Sequence, residues 1–157
     1  YNLAVLVNGK QVSLEMADGY VVIDREWKKG DVVKFEFPMN VQLLKSRPEI
    51  KQNESRIAIQ RGPLVYCIEG ADNNNKAWNV VVPENTVFTP TAYKVVTEQV
   101  VALQAELPVL TVNEDGSAVK TERKMITAIP YYTWANRGKN EMQLWLPTKI
   151  KDVKINY

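Results

Sequence analysis

The residues of this chain best suited to recognition or chemistry lie in one short stretch, Ile129-Pro130-Tyr131-Tyr132-Thr133-Trp134-Ala135-Asn136-Arg137-Gly138. The rings of Tyr131, Tyr132 and Trp134 can stack on the apolar faces of a sugar, while Asn136 and Arg137 can hydrogen-bond its hydroxyls. The same side chains can equally pin a corner of the fold, since aromatic residues bury large areas and their polar tips need partners. A second stretch, Arg61-Gly62-Pro63-Leu64-Val65-Tyr66-Cys67-Ile68-Glu69, adds Arg61. Arg61, Tyr131, Tyr132, Trp134, Asn136 and Arg137 are therefore the candidates for contact with a carbohydrate or with a neighbouring domain.

Other chemistries find little support. Histidine is absent, which removes Ser-His-Asp and Cys-His nucleophiles along with most zinc and copper sites. The single Cys67 can form neither an internal disulfide nor a multi-thiolate metal site, and its apolar run predicts a buried, inert thiol. Eighteen acidic residues offer many carboxylate pairs but no pattern saying which of them meet, so a glycosidase pair cannot be read from spacing. Glu26, Asp31 and Glu69 read as strand-end charges or turn formers. Gly116 and Gly138 stand alone rather than in a phosphate-binding loop. Asp72-Asn73-Asn74-Asn75 could offer oxygens to calcium, but no ordered carboxylate pattern follows and a solvated turn is the expectation. No catalytic, cofactor-binding or metal-ligating residue is assigned within the chain.

Composition sets the frame for these sites. With 157 residues, 45% hydrophobic and 24% charged, the chain has the make-up of a globular domain or of two small subdomains. The net charge is +2 and basic residues cluster no further than Arg123-Lys124 with Lys120 before them, which argues against a nucleic-acid partner. No apolar run approaches the length of a membrane span, so no membrane partner is expected. The chain opens directly on strand-like residues and reads as a piece of something longer, so its compartment stays open.

The elements that must position the candidates are strands. Leu3 to Val7, Asn8-Gly9 and Gln11 to Leu14 predict a hairpin with a type I′ turn. Asp18-Gly19 and Lys29-Gly30-Asp31 bracket a strand from Tyr20 to Arg25, and Val33, Phe35 and Phe37 alternate with charged residues as one buried face. Gly62-Pro63 between two apolar runs predicts a bulge or strand switch. Val95 to Leu110 fits either period, and its β-branched content favours strand. Asn113-Glu114-Asp115-Gly116 is expected to turn, Met125 to Tyr132 to be a strand that sends Tyr131 and Tyr132 to opposite faces, and Glu141 to Leu146 a last alternating strand. The fold class expected is all-β, an antiparallel β-sandwich made of two small β subdomains with the second inserted into the first. The polar run Asp72 to Lys76 marks the break, giving 1–70 plus 141–157 as one subdomain and 71–140 as the insert.

The two motifs, in this order after Asn8-Gly9, Gly19-Tyr20, Trp27 and Gly30-Asp31, resemble the C-terminal part of the family 127 glycoside hydrolases, the β-L-arabinofuranosidases. The resemblance extends across nearly the whole chain. It implies a larger parent in which an α/α-barrel catalytic domain precedes β-sandwich domains. It also implies a thiolate nucleophile on a zinc site of several Cys and a Glu, with a second Glu as acid/base, all in the barrel and without counterparts here. Cys67 falls in the Val-Tyr-Cys strand motif and takes no such role.

The expected function is thus a non-catalytic C-terminal β-sandwich module, with no cofactor of its own, whose partner is the barrel and whose parent acts on arabinose-containing glycans. The alternative is an autonomous carbohydrate-binding module using Trp134, Tyr132 and Trp78 as stacking platforms. A chain that is itself the enzyme, through two unrecognised carboxylates, is the third reading.

Overall fold

Two Asx-Gly pairs shape the first forty residues. The computed structural model describes residues 4–113 and 119–153. In it β1 (Ala4–Val7) and β2 (Lys10–Gln11) close around Asn8 and Gly9, whose φ values of 53° and 77° are those of the expected type I′ turn. Asp18 and Gly19 repeat the device, with φ of 50° and 84°, between β3 (Glu15–Ala17) and β4 (Tyr20–Val22). β5 (Val33–Glu36) then pairs antiparallel with β1, and Asp31 helps fix its approach by accepting hydrogen bonds from Asn8 Nδ2 at 2.8 Å and Lys28 N at 3.0 Å.

The face expected to be buried on β5 is not. Val5 and Val7 are buried, but Phe35 and Phe37 are 48% and 55% exposed and stack on each other with centroids 6.3 Å apart. Two short sheets built from so few residues cannot cover both sides of themselves.

Residues 1–40 and 41–157 form separate compact units. The second is one sheet, built from β6 (Val41–Lys45), β7 (Arg56–Arg61), β8 (Leu64–Glu69), β9 (Thr89–Val95), β10 (Glu98–Val112), β11 (Val119–Pro130), β12 (Met142–Gln143) and β13 (Leu146–Pro147). Its main path runs β13-β7-β8-β11-β10-β9, with every pairing antiparallel, β6 on β7 and β12 on β8. The all-β, antiparallel expectation holds.

Strand alternation gives this sheet two cores. Ile57 and Ile59 of β7, Tyr66 and Ile68 of β8, Leu103, Ala105, Leu107 and Val109 of β10 and Ile126 and Ala128 of β11 gather on one side with Val80, Val82 and Phe88. Cys67, Val95, Val100 and Ile129 form the other, smaller core, under Tyr93, Trp134, Met142 and Leu144.

Several local expectations change. Gly62-Pro63 is neither bulge nor strand switch: Arg61 pairs with Leu64 across a two-residue turn, with Gly62 at φ 55°. Outside the named strands, Val80 makes a single antiparallel bridge to Val109. The last alternating segment splits into β12 and β13, which pair with different strands. Asn113 is described, whereas Glu114 to Gly116 of the expected turn, and the chain after Val153, lie outside the described residues.

The division expected near residue 70 also moves, to the junction of Asn40 and Val41. Asp72 to Lys76 is polar and exposes Asn74, Asn75 and Lys76, but its first two side chains turn inward, Asp72 to Arg137 and Tyr93 and Asn73 to the sheet. Asn73, itself buried, donates to the carbonyls of Glu69 and Thr127 at 2.8 and 2.9 Å and accepts from Thr127 N at 2.9 Å, so its amide extends the β8–β11 ladder by one rung.

Candidate functional site: a buried arginine clamp under an exposed aromatic corner

Pro130 ends β11, and the chain turns at once into a 3₁₀ turn, Tyr131–Thr133, closed by Thr133 Oγ1 donating to Pro130 O at 2.7 Å. Tyr131 and Tyr132 therefore do not alternate across a sheet. Both rings reach the surface, 41% and 61% exposed, and the expectation that a strand sends them to opposite faces fails for that reason. Trp134 instead lies half-buried against the smaller core, its ring 6.0 Å from that of Tyr131 and tilted by 31°. Asn136 turns its amide back to Thr133 O at 3.2 Å. Arg61 sits half-buried at the end of β7 with its Nε buried and unpartnered among the described residues.

Arg137 points inward. Its Nη1 and Nη2 each donate to Asp72 at 2.5 Å, one to each carboxylate oxygen, and Nη2 also donates to Glu69. Glu69 is fully buried, and its other oxygen accepts from Asn140 Nδ2 at 3.0 Å and Ala135 N at 3.2 Å. The Tyr93 hydroxyl donates to Asp72 at 2.7 Å. Each carboxylate is thus held by several donors, as burial of charge requires.

The electrostatics follow from this packing. The bond from Asp72, opposed by burial and helped by Glu69, raises Arg137 still further above its ordinary pKa. Burial, and then the bond to Asp72, raise Tyr93. Burial, followed by the charges of Glu69 and Asp72, pushes the Cys67 thiol up to about 12. The thiol is neutral and unreactive at physiological pH, as the sequence leads one to expect.

This arrangement can clamp, and its geometry offers little else. Arg137 spends three of its five N–H groups on the two carboxylates and its Nε is buried, so little of the guanidinium is left for a sugar hydroxyl. Glu69, which by itself reads as a strand-end charge, is instead the clamp's buried anchor. Strand alternation could have found it, because Glu69 shares the face of Cys67 and lies three residues from Asp72. A companion tie supports the same loop: Glu141 accepts from Ala77 N at 2.7 Å, Trp78 N at 3.1 Å and Lys76 Nζ at 3.3 Å.

The comparisons with known proteins follow the two compact units. The description "Glycoside hydrolase family 127 C-terminal domain" matches residues 41–147, and "Beta-L-arabinofuranosidase, GH127 middle domain" matches 1–39. The chain belongs to glycoside hydrolase family 127. This GH127 chain is 29% identical over 160 residues to a non-reducing end beta-L-arabinofuranosidase of Bifidobacterium longum subsp. longum, a match covering 88% of the chain and 23% of that protein. Among solved structures, a GH127 beta-arabinofuranosidase superposes with a TM-score of 0.82 at 33% identity, over 97% of this chain and 24% of its own. A GH127 beta-L-arabinofuranosidase from Geobacillus stearothermophilus T6 gives a TM-score of 0.76 at 32% identity, over 94% and 24%. The GH127 chain thus spans about a quarter of the length of these relatives, corresponding to their middle- and C-terminal-domain matches.

Proposed function

We propose that this chain is the non-catalytic C-terminal β module of a glycoside hydrolase acting on arabinose-containing glycans, and that it braces a separate α/α-barrel catalytic domain. The observation that carries this reading is the set of rings left uncovered. Residues 1–40 leave Tyr20, Trp27, Phe35 and Phe37 exposed, and residues 41–157 leave Tyr131 and Tyr132 exposed. Large exposed rings in such number mark surfaces that pack against something. In the relatives about three quarters of the length lies outside the matched part and could supply the packing. The aromatic motif divides its labour accordingly: Trp134 and Arg137 hold the loop in place, and Tyr131 and Tyr132 present their faces outward.

The zinc-thiolate chemistry that the family resemblance implies would belong to the barrel. Among the described residues of this chain no three His, Cys, Asp or Glu side chains converge on a point where a metal could sit, and the one thiol is buried and protonated. These residues do not fit the group.

Assay of the purified 157-residue chain on aryl β-L-arabinofuranosides tests the catalytic side of the proposal. No turnover is expected, and turnover that disappears on removing one of the chain's own carboxylates contradicts it. Calorimetry with arabinose-containing oligosaccharides addresses the alternative, a free-standing carbohydrate-binding module. Flat titrations are expected, because Trp134 is packed against the smaller core and Trp78 uses its Nε1 to bond Met142 O at 3.2 Å. Saturable heat abolished by Trp134→Ala would favour that alternative.

A further inference from the structure

Far from the aromatic corner in sequence, the connection between β6 and β7 folds into a cleft of about 290 Å³. Four cations line it, Lys45, Arg47, Lys51 and Arg56, against two carboxylates, Glu54 and Glu84. The lining therefore carries a local surplus of two positive charges.

The pairing inside the cleft sharpens the imbalance. Lys45 and Glu84 neutralise each other at 2.7 Å. Arg56 spends its guanidinium on neutral acceptors, the carbonyls of Trp145 at 2.9 Å and Asp152 at 3.4 Å, and so keeps its charge. Arg47 and Lys51 form no ion pair among the described residues. Only Glu54 stands against these three. One wall is held rigidly: Ser55 lies in the left-handed region at φ 57°, its carbonyl accepting from Thr148 N at 2.9 Å and Thr148 Oγ1 at 3.0 Å.

We propose that this cleft binds the anionic group of a small ligand, a carboxylate or phosphate oxyanion. A concave wall carrying like charges concentrates the field and favours a counter-charge within it. Arg56, positioned by its two carbonyl bonds, has three further N–H groups for such an oxyanion, and Arg47 and Lys51 add their charges from the exposed rim. The volume falls near the small end of ligand sites, enough for one sugar ring bearing an acid. The uncompensated cations select charge, and the hydroxyl of Ser55 and the acceptor side of Ser46 Oγ, which itself donates to Arg47 O, can meet a sugar's own hydroxyls.

The test is calorimetric titration of the 157-residue chain at low ionic strength with sodium glucuronate, with inorganic phosphate and with neutral L-arabinose. Saturable binding of at least one anion is expected, weakened about tenfold or more in the Arg47→Ala, Lys51→Ala double variant, a loss of about 1.4 kcal/mol. Both side chains are exposed, and an unchanged melting temperature of the variant checks that the fold is intact. Glucuronate alone identifies a sugar acid, phosphate alone a phosphoryl group, and both together a general oxyanion site. The proposal is overturned if neither anion saturates, if arabinose binds as well as glucuronate, or if the double variant binds unchanged.

Discussion

Arg137 grips Asp72 through two parallel N–H···O bonds of 2.5 Å across 65 residues of sequence, and the same guanidinium reaches the fully buried Glu69. This bond set ties the loop after β11 to the end of β8. Because the loop carries both the half-buried Trp134 and the exposed tyrosines, the clamp connects the inner and outer halves of one motif.

Removing the clamp's cation strands two carboxylates. Arg137→Met should destabilise the chain by about 3–5 kcal/mol, as expected when one partner of a buried ion pair is deleted. Arg137→Lys should recover only part of this, because a single ammonium cannot reproduce the fork on Asp72 while reaching Glu69. Urea unfolding of both variants checks the order; equal stability of Arg137→Lys and the parent chain would show the fork to be unimportant.

A second prediction concerns the turn between β9 and β10. Val95 pairs with Glu98, leaving Val96 and Thr97 as a two-residue turn, and Val96 is held at φ 54°. A β-branched residue pays a steric penalty there that glycine does not. Val96 is 53% exposed, so its replacement forfeits little burial. Val96→Gly should raise stability by about 1 kcal/mol, readable as a higher urea midpoint at unchanged slope.

This turn also shows why some of the fold could be read in the sequence and some could not. Asn8-Gly9 and Asp18-Gly19 announce their hairpins because their residue types match the backbone they adopt. Val96-Thr97 is a hairpin turn with no such residue, so the stretch around it reads as one ambiguous segment. The clamp is hidden for a different reason: Glu69 and Arg137 lie in separate motifs and Asp72 in the polar run between them, and only the pairing of β8 with β11 and β12 brings their segments together. Asn73 misled through its polarity, which serves the sheet rather than solvent. The aromatic corner was conspicuous in composition, but Pro130 fixes its geometry by ending the strand, and alternation no longer applies beyond it.

Acid should loosen the loop held by Glu141. Burial alone would raise its pKa, but the amides of Ala77 and Trp78, and then Lys76, outweigh that and leave it below its ordinary value of 4.5. The unfolded chain therefore takes up this proton more readily than the folded one. The contribution is fully present above pH 4.5 and is lost as pH falls through the lower folded value. Glu141→Gln should flatten that part of the pH–stability curve, and an unchanged acid limb would remove Glu141 from the account.

Cys67 should resist alkylation in the folded chain even at mildly alkaline pH, since it is fully buried and that burial pushes its thiol up to about 12. Full labelling is expected once denaturant unfolds the second unit. Rapid stoichiometric labelling of the native chain would contradict the packing of the smaller core.

The central claim is that Tyr131 and Tyr132 face outward to brace another domain. It is tested most directly by comparing the melting temperature of Tyr131→Ala, Tyr132→Ala in two settings, the 157-residue chain alone and the same residues within a full-length family 127 enzyme. The account predicts little change in the isolated chain and a drop of several degrees in the full-length enzyme, where the rings lose their cover. Equal effects in both, or none in the full-length enzyme, would contradict it.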